Sequence, residues 1–144
     1  MLDDIYNNKI LEFAGNIPLL GHLDNPQADA KAHSRLCGST VSVEVSVIDG
    51  LITAFAQDVK ACALGQASAS ILGRNVIGAS PTEVRNAYTQ LHAMLKEDGP
   101  PPSGRFAELS FLEPVRSYKA RHASTMLAFE ALVKALDAVE APVA

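Results

Sequence analysis

The sequence predicts an α+β domain in which a three-stranded antiparallel sheet carries helices packed on one face. Three observations predict it: alternating valines from Val41 to Val47, an Asp49-Gly50 pair just after them, and a change to helical period from Ala63 onward. A block of strands followed by a block of helices fits α+β rather than alternating α/β. The chain has 144 residues, enough for one domain spanning 1–144 with a real core and too few for two.

Taken in order, Leu2 to Phe13 reads as an amphipathic helix, with Ile5, Lys9 and Phe13 on one side and Leu2, Ile10 and Leu11 as its apolar stripe. Gly15-Asn16-Ile17-Pro18 ends it, and residues 15–27 form an irregular loop punctuated by Gly21, Asn25 and Pro26. Ala28 to Leu36 alternates weakly, as an edge strand does. In the next strand Val41, Val43, Val45 and Val47 alternate with Ser42, Glu44 and Ser46, so one face is buried and one is wet. Asp49-Gly50 signals a type I′ hairpin, which makes Leu51 to Val59 the returning strand.

Leu64, Ala67 and Ile71 then share a helical face, and the small run Ala67-Ser68-Ala69-Ser70 permits close packing; Gly78 suits a C-terminal cap. Ser80-Pro81-Thr82-Glu83 opens another helix with a capping box. That helix runs to about Glu97 and stops at Asp98-Gly99-Pro100-Pro101-Pro102. Arg105 to Leu112 reads as one or two short turns, and Met126, Phe129, Val133, Leu136 and Val139 mark a last amphipathic helix. No internal repeat is present.

Composition narrows the function classes. At 48% hydrophobic and 19% charged the chain is an ordinary globular protein, and with 6% aromatics and no Trp its core must come from Ala, Val, Leu and Ile. A net charge of −4 and the lack of a basic stripe exclude broad nucleic-acid binding. Met1-Leu2-Asp3-Asp4 is acidic and no long apolar run follows, so no membrane partner is expected and the expected location is cytoplasmic. Thiols there stay reduced, so Cys37 and Cys62 read as buried small hydrophobes or functional thiols rather than a disulfide.

Cys37 precedes the clearest strand, and Cys62 sits between the returning strand and the next helix. A hairpin brings Val59 back beside Thr40, so both cysteines should approach one end of the sheet. A thiol just before a helix N-terminus feels the positive end of the dipole, and two thiolates that converge suit soft ions such as iron or zinc. Catalytic alternatives lack support. A Cys62–His nucleophile has no oxyanion motif, Ser68 and Ser70 have no base nearby, and Glu44, Asp49 and Asp58 read as a solvated face. His22 and His92 read as surface residues.

Leu36-Cys37-Gly38, Val41 to Gly50, the run Cys62 to Ser70, and Lys119-Ala120-Arg121 to Leu132 resemble the successive blocks of the IscU/NifU/SufU-type iron–sulfur cluster assembly scaffold family. The likeness covers about residues 3 to 139, and Gln66 to Ser70 after a cysteine is its most specific part. It implies the same α+β sandwich and a non-enzymatic scaffold that holds iron, a nascent [2Fe–2S] cluster or zinc on three cysteines and an aspartate. Cys37 and Cys62 match two of the cysteines; Ser39 stands where the aspartate is expected and Ser124 where the third cysteine is. His122, two residues before Ser124, is the candidate to compensate if that stretch is extended, and His33 is a weaker one. The resemblance further implies a cysteine desulfurase as sulfur donor and apo-protein cluster acceptors. A two-cysteine site can reach four thiolates by pairing across a homodimer. The alternative is a degenerate paralogue that docks on these partners without metal.

Overall fold

The computed structural model describes residues 6–35 and 38–140. Helix α1 runs Asn8–Ala14 and buries Ile10 and Phe13. Asn7 is extended, and its side-chain oxygen accepts the Ile10 N–H at 3.0 Å. That cap starts the helix here rather than at Leu2. Tyr6 and Asn7 are not helical, while Leu2 and Ile5 of the expected helix lie outside the described residues.

Strands β1 (Ala28–His33), β2 (Thr40–Ile48) and β3 (Leu51–Lys60) form one antiparallel sheet in the order β1-β2-β3. β1 is the expected edge strand but stops short of Leu36, because Ser34 donates its N–H to the Ser39 carbonyl at 2.9 Å and closes a turn. Asp49 and Gly50 have φ of 53° and 78°, the two positive angles a type I′ turn requires, and Ile48 pairs with Leu51 across it. Val41, Val43 and Val45 are buried, facing the same side as Phe55 and Gln57 opposite them.

Helices α2 (Ala63–Asn75), α3 (Pro81–Lys96) and α4 (His122–Glu140) supply the other layer. α4 lies on β1 and β2, α2 and α3 pack on α4, and α1 packs on α2. The expected capping box is present: Ser80 Oγ accepts the Glu83 N–H at 3.1 Å and Glu83 Oε1 accepts the Ser80 N–H at 3.0 Å. Gly78 is not a helix cap. α2 ends at Asn75, and Gly78, at φ 90°, donates its N–H to the Ile52 carbonyl at 2.8 Å, tying the turn to β3.

The segment expected to hold one or two turns is a 3-10 stretch, Gly104–Ser117, kinked at Phe106. Its buried residues are Phe106, Leu109, Leu112 and Val115, spaced by three, which is the repeat of a 3-10 helix. A second short 3-10 turn, Lys119–Arg121, leads into α4.

The free edge of β3 is covered by the loop before β1. Gln57 donates its N–H to the Leu19 carbonyl at 3.0 Å and accepts the Gly21 N–H at 3.0 Å, which blunts the edge. Glu44 holds this loop down, and so does more than line a solvated face. Its Oε1 accepts the Leu23 N–H at 2.6 Å and its Oε2 pairs with His22 Nδ1 at 2.9 Å.

The His22 bond raises that histidine above its ordinary 6.5, and the Leu23 N–H, followed by His22, lowers Glu44 below its ordinary 4.5. The Glu44 contribution is present above 4.5 and lost as pH falls through its lowered pKa; the His22 contribution is present below 6.5 and lost as pH rises through its raised one. Amide-exchange protection of Leu23, measured by NMR, should therefore be greatest between pH 4.5 and 6.5. His22→Ala should abolish the decline on the alkaline side only.

Candidate metal centre

Cys62 is the N-cap of α2, with extended backbone at φ −67° and ψ 172°, yet its side chain caps no amide. It donates its S–H to Ser124 Oγ at 3.4 Å. Ser124 is buried in the first turn of α4, and its own hydroxyl donates to the Arg121 carbonyl at 3.2 Å, an oxygen that Thr125 Oγ1 also reaches at 2.7 Å. Ser124 is thus both acceptor from the thiol and donor to the backbone. The same hydroxyl can rotate to donate to the sulfur when Cys62 is deprotonated.

Two thiolates on one tetrahedral zinc ion sit about 3.7 Å apart, given Zn–S bonds of about 2.3 Å. The 3.4 Å between Cys62 Sγ and Ser124 Oγ is close to that separation. Position 124 thus stands at ligand-to-ligand distance from Cys62 but carries a hydroxyl, a poor ligand at neutral pH.

The two helix ends meet because residue 65 is glycine. A Cβ there would stand 2.7 Å from Ala61 Cβ and 3.2 Å from the Ser124 carbonyl oxygen. Sequence reasoning assigned Gly65 no role, although a glycine three residues after a candidate ligand was the available signal.

Cys37 lies outside the described residues. Of the described residues on either side of it, Gly38 takes φ 70° and donates its N–H to the Ser34 carbonyl at 2.9 Å, and Ser34 donates its own to the Ser39 carbonyl. Thr40 pairs with Lys60, so Ser39 and the β3–α2 junction occupy the same end of the sheet, within one residue of the expected register. Ser39 is buried there.

His122 goes elsewhere. It is the first residue of α4, and two helical residues differ by about 200° around the axis, so it and Ser124 face nearly opposite ways. The extended backbone that would aim both at one point is absent. His122 Nε2 donates to the carbonyls of Val115 at 3.0 Å and Arg116 at 3.1 Å, which fixes the tautomer. Burial lowers its pKa; the two carbonyls oppose that shift, and Lys96 and Lys119 add to it. His33 Nδ1 lies 3.0 Å from Thr40 Oγ1, exposed at the end of β1, and His92 pairs with Glu97 at 3.3 Å. Among the described residues no three of the His, Cys, Asp and Glu side chains converge on one point.

No protein-family model matches the chain. The crystal structure of a nitrogen-fixing NifU-like protein (N-terminal) from Brucella abortus superposes with a TM-score of 0.95 at 56% identity, covering 96% of both chains. The iron–sulfur cluster assembly scaffold protein IscU of Thermotoga maritima is 23% identical over 138 residues, 96% of each chain. A putative iron–sulfur cluster assembly scaffold protein for the SUF system from Fervidobacterium islandicum AW-1 shares the fold, with a TM-score of 0.85 at 19% identity over 93% of this chain and 98% of that one. The α+β sandwich read from periodicity is the fold these proteins share. The chain belongs to the IscU/NifU/SufU family.

Gly65→Ala should destabilise the protein by about 1–3 kcal/mol, since the added methyl must push α2 away from α4 in a packed seam. Urea denaturation followed by circular dichroism measures it, and an unchanged midpoint would mean the seam yields freely.

Proposed function

We propose that this chain is a non-enzymatic scaffold of iron–sulfur cluster assembly that takes iron or a nascent [2Fe–2S] cluster as cargo on Cys37 and Cys62. The observation that carries this reading is the placement of Cys62 Sγ 3.4 Å from Ser124 Oγ, at the sheet end where Thr40 begins β2 opposite Lys60. The name of the Thermotoga relative, a scaffold protein of iron–sulfur cluster assembly, supports the same class of cargo. His122 has no part in this site, because its Nε2 is committed to two carbonyls on the other side of α4.

One chain offers two thiolates, and a [2Fe–2S] cluster takes four ligands. A homodimer that apposes two such ends supplies four. Sulfur would come from a cysteine desulfurase and the cluster would pass to apo-protein acceptors in the cytoplasm. Anaerobic reconstitution with iron and sulfide should give visible charge-transfer absorbance on a dimer, lost in Cys37→Ser and in Cys62→Ser. A colourless, metal-free product would remove the reading.

Ser124→Cys supplies a third thiolate at ligand distance from Cys62. Zinc affinity, read by competition with a chromogenic chelator, should rise at least about tenfold, and the bound form should become monomeric. No gain would mean that position 124 does not face the cargo.

A second reading follows from the serines at 39 and 124, which stand where the resemblance leads one to expect an aspartate and a cysteine. On this reading the chain docks on the assembly partners without carrying metal. Capture of a desulfurase by both the native protein and the Cys37→Ser/Cys62→Ser variant, with no metal in either, is its expected result. Capture that needs the thiols would overturn it.

A further inference from the structure

β1 is open along its outer edge. Among the described residues only β2 pairs with it, whereas the free edge of β3 is covered by the loop before β1. The ladder fixes which backbone groups of β1 face outward. Gln57 spends its N–H and carbonyl on the loop outside β3, so Val43 opposite it turns its own toward β1, where it pairs with Ala30. Alternation then commits Ala30 and Ala32 to β2 and leaves the N–H and carbonyl groups of Asp29, Lys31 and His33 pointing away from the sheet. The Ser34 N–H bond to the Ser39 carbonyl continues the same alternation. We propose that two copies of this chain pair through these edges, antiparallel about a two-fold axis at Ala30, so that the sheet continues from one protomer into its partner.

Charge selects both the occupant and the register. The edge reads Ala28-Asp29-Ala30-Lys31-Ala32, which is complementary in charge to itself when reversed about Ala30. With the axis there, Asp29 lies opposite the partner's Lys31, and Lys31 opposite the partner's Asp29. Both residues of each pair face outward, so each pair exchanges its two backbone hydrogen bonds across the seam. The side chains of each pair are opposite charges on the same face of the joined sheet, an attractive cross-strand contact. Moving the axis one residue either way sets Asp29 against Asp29 or Lys31 against Lys31, and like charges directly opposite disfavour both registers.

Charged side chains on an edge strand ordinarily keep a second strand away. Here they do so in every register but one. Neither charge is spent within the protomer: Asp29 and Lys31 are exposed and make no ion pair among the described residues. The neighbour of Asp29 on β2 is Glu44, a like charge, and that of Lys31 is the neutral Ser42. Asp29 therefore has a carboxylate on its inner side and gains from a cation on its outer side.

The contact is small. A strand edge of 6 residues buries well under the roughly 1,200 Å² at which stable interfaces begin, so the association is weak and is lost on dilution. It is also separate from a dimer that shares a cluster. His33, beside Thr40 at the cargo end, stands about 10 Å from the axis at about 3.4 Å per residue, and the antiparallel partner runs the other way. The two cargo ends thus lie on opposite sides of the joined sheet, and both stay open.

The test follows metal-free protein over a concentration series by sedimentation velocity and by NMR amide exchange. Dimer should accumulate with concentration, and the amides of Asp29 and Lys31 should gain protection while those of Ala30 and Ala32, already bonded to β2, do not change. Asp29→Lys and Lys31→Asp alter exposed side chains and should fold normally by circular dichroism, yet each should weaken self-association at least about tenfold. Mixed in equal amounts, the two variants should recover the native association, because every lysine of one chain then meets an aspartate of the other. Four results would each overturn the proposal: no association at any concentration, protection gained at other amides instead, variants that self-associate as the native protein does, or a mixture that stays monomeric. The amide protection of the native protein decides the matter even if a variant misfolds. None of these outcomes depends on iron, sulfide or the cysteines, so this interface and the proposed cargo site succeed or fail separately.

Discussion

The register of the β2–β3 hairpin is the constraint on which the other features rest. It is set at one end by Asp49 and Gly50, whose two positive φ angles permit a two-residue connection and fix Ile48 opposite Leu51. A slip of one residue would send Val41, Val43 and Val45 to solvent and bring Ser42 and Glu44 under α4. The bulge between Ser46 and Val47 sits beside the turn, so the ladder from Ser46 down to Thr40 is regular where it matters. At its far end Thr40 faces Lys60, and the chain leaves the sheet there toward Ser39 on one strand and Cys62 on the other.

What the hairpin brings together, the helices must not crowd apart. Gly65 admits the backbone of α4 at Ser124, and Gly73 admits Pro18 and the Gln57 amide, each at distances a methyl group would violate. Gln57 Nε2 donates to the carbonyls of Pro18 and Ala69, both at 3.1 Å, and Ser70 Oγ donates to the Asn16 carbonyl at 3.2 Å. These bonds staple the loop after α1 to both α2 and β3. A core of aliphatic residues with few aromatics suits such close approaches. Four of the five Phe rings pair, Phe106 with Phe129 at 5.5 Å and Phe13 with Phe111 at 5.7 Å.

The sequence disclosed features whose cause is local. Alternation in β2, the type I′ turn and the Ser80 capping box depend on a few adjacent residues, and each is found where the pattern put it. The start of α1 was misjudged because its apolar spacing extends past the Asn7 cap, and capping overrides spacing. The 3-10 stretch is longer than the one or two turns read over Arg105 to Leu112, because a buried residue at every third position fits poorly on an α-helix and gives no sustained helical period. At the site, the placement of Ser124 beside Cys62 was legible from block order, and the direction of His122 was not. That direction depends on α4 beginning at residue 122 rather than after Ser124, which the 3-10 lead-in decides.

Charge adds a feature that composition conceals. The chain is net negative, yet its cations divide into two groups. Lys9, Arg74, Arg85, Arg105, Arg116 and Lys134 are each paired with a carboxylate. Lys31, Arg35, Lys60, Lys96, Lys119 and Arg121 have no ion pair among the described residues. Four of the second group flank the site in sequence. Arg35 and Lys60 each stand two residues before a cysteine, and Lys119 and Arg121 form the 3-10 turn whose last carbonyl accepts from Ser124. Uncommitted cations keep their field for what approaches from outside, whereas paired ones spend it within the fold. A cluster on four thiolates is an anion, the kind of cargo such a field attracts. Lys119 and Arg121 thus set spare positive charge immediately before the first turn of α4, the turn whose Ser124 meets Cys62.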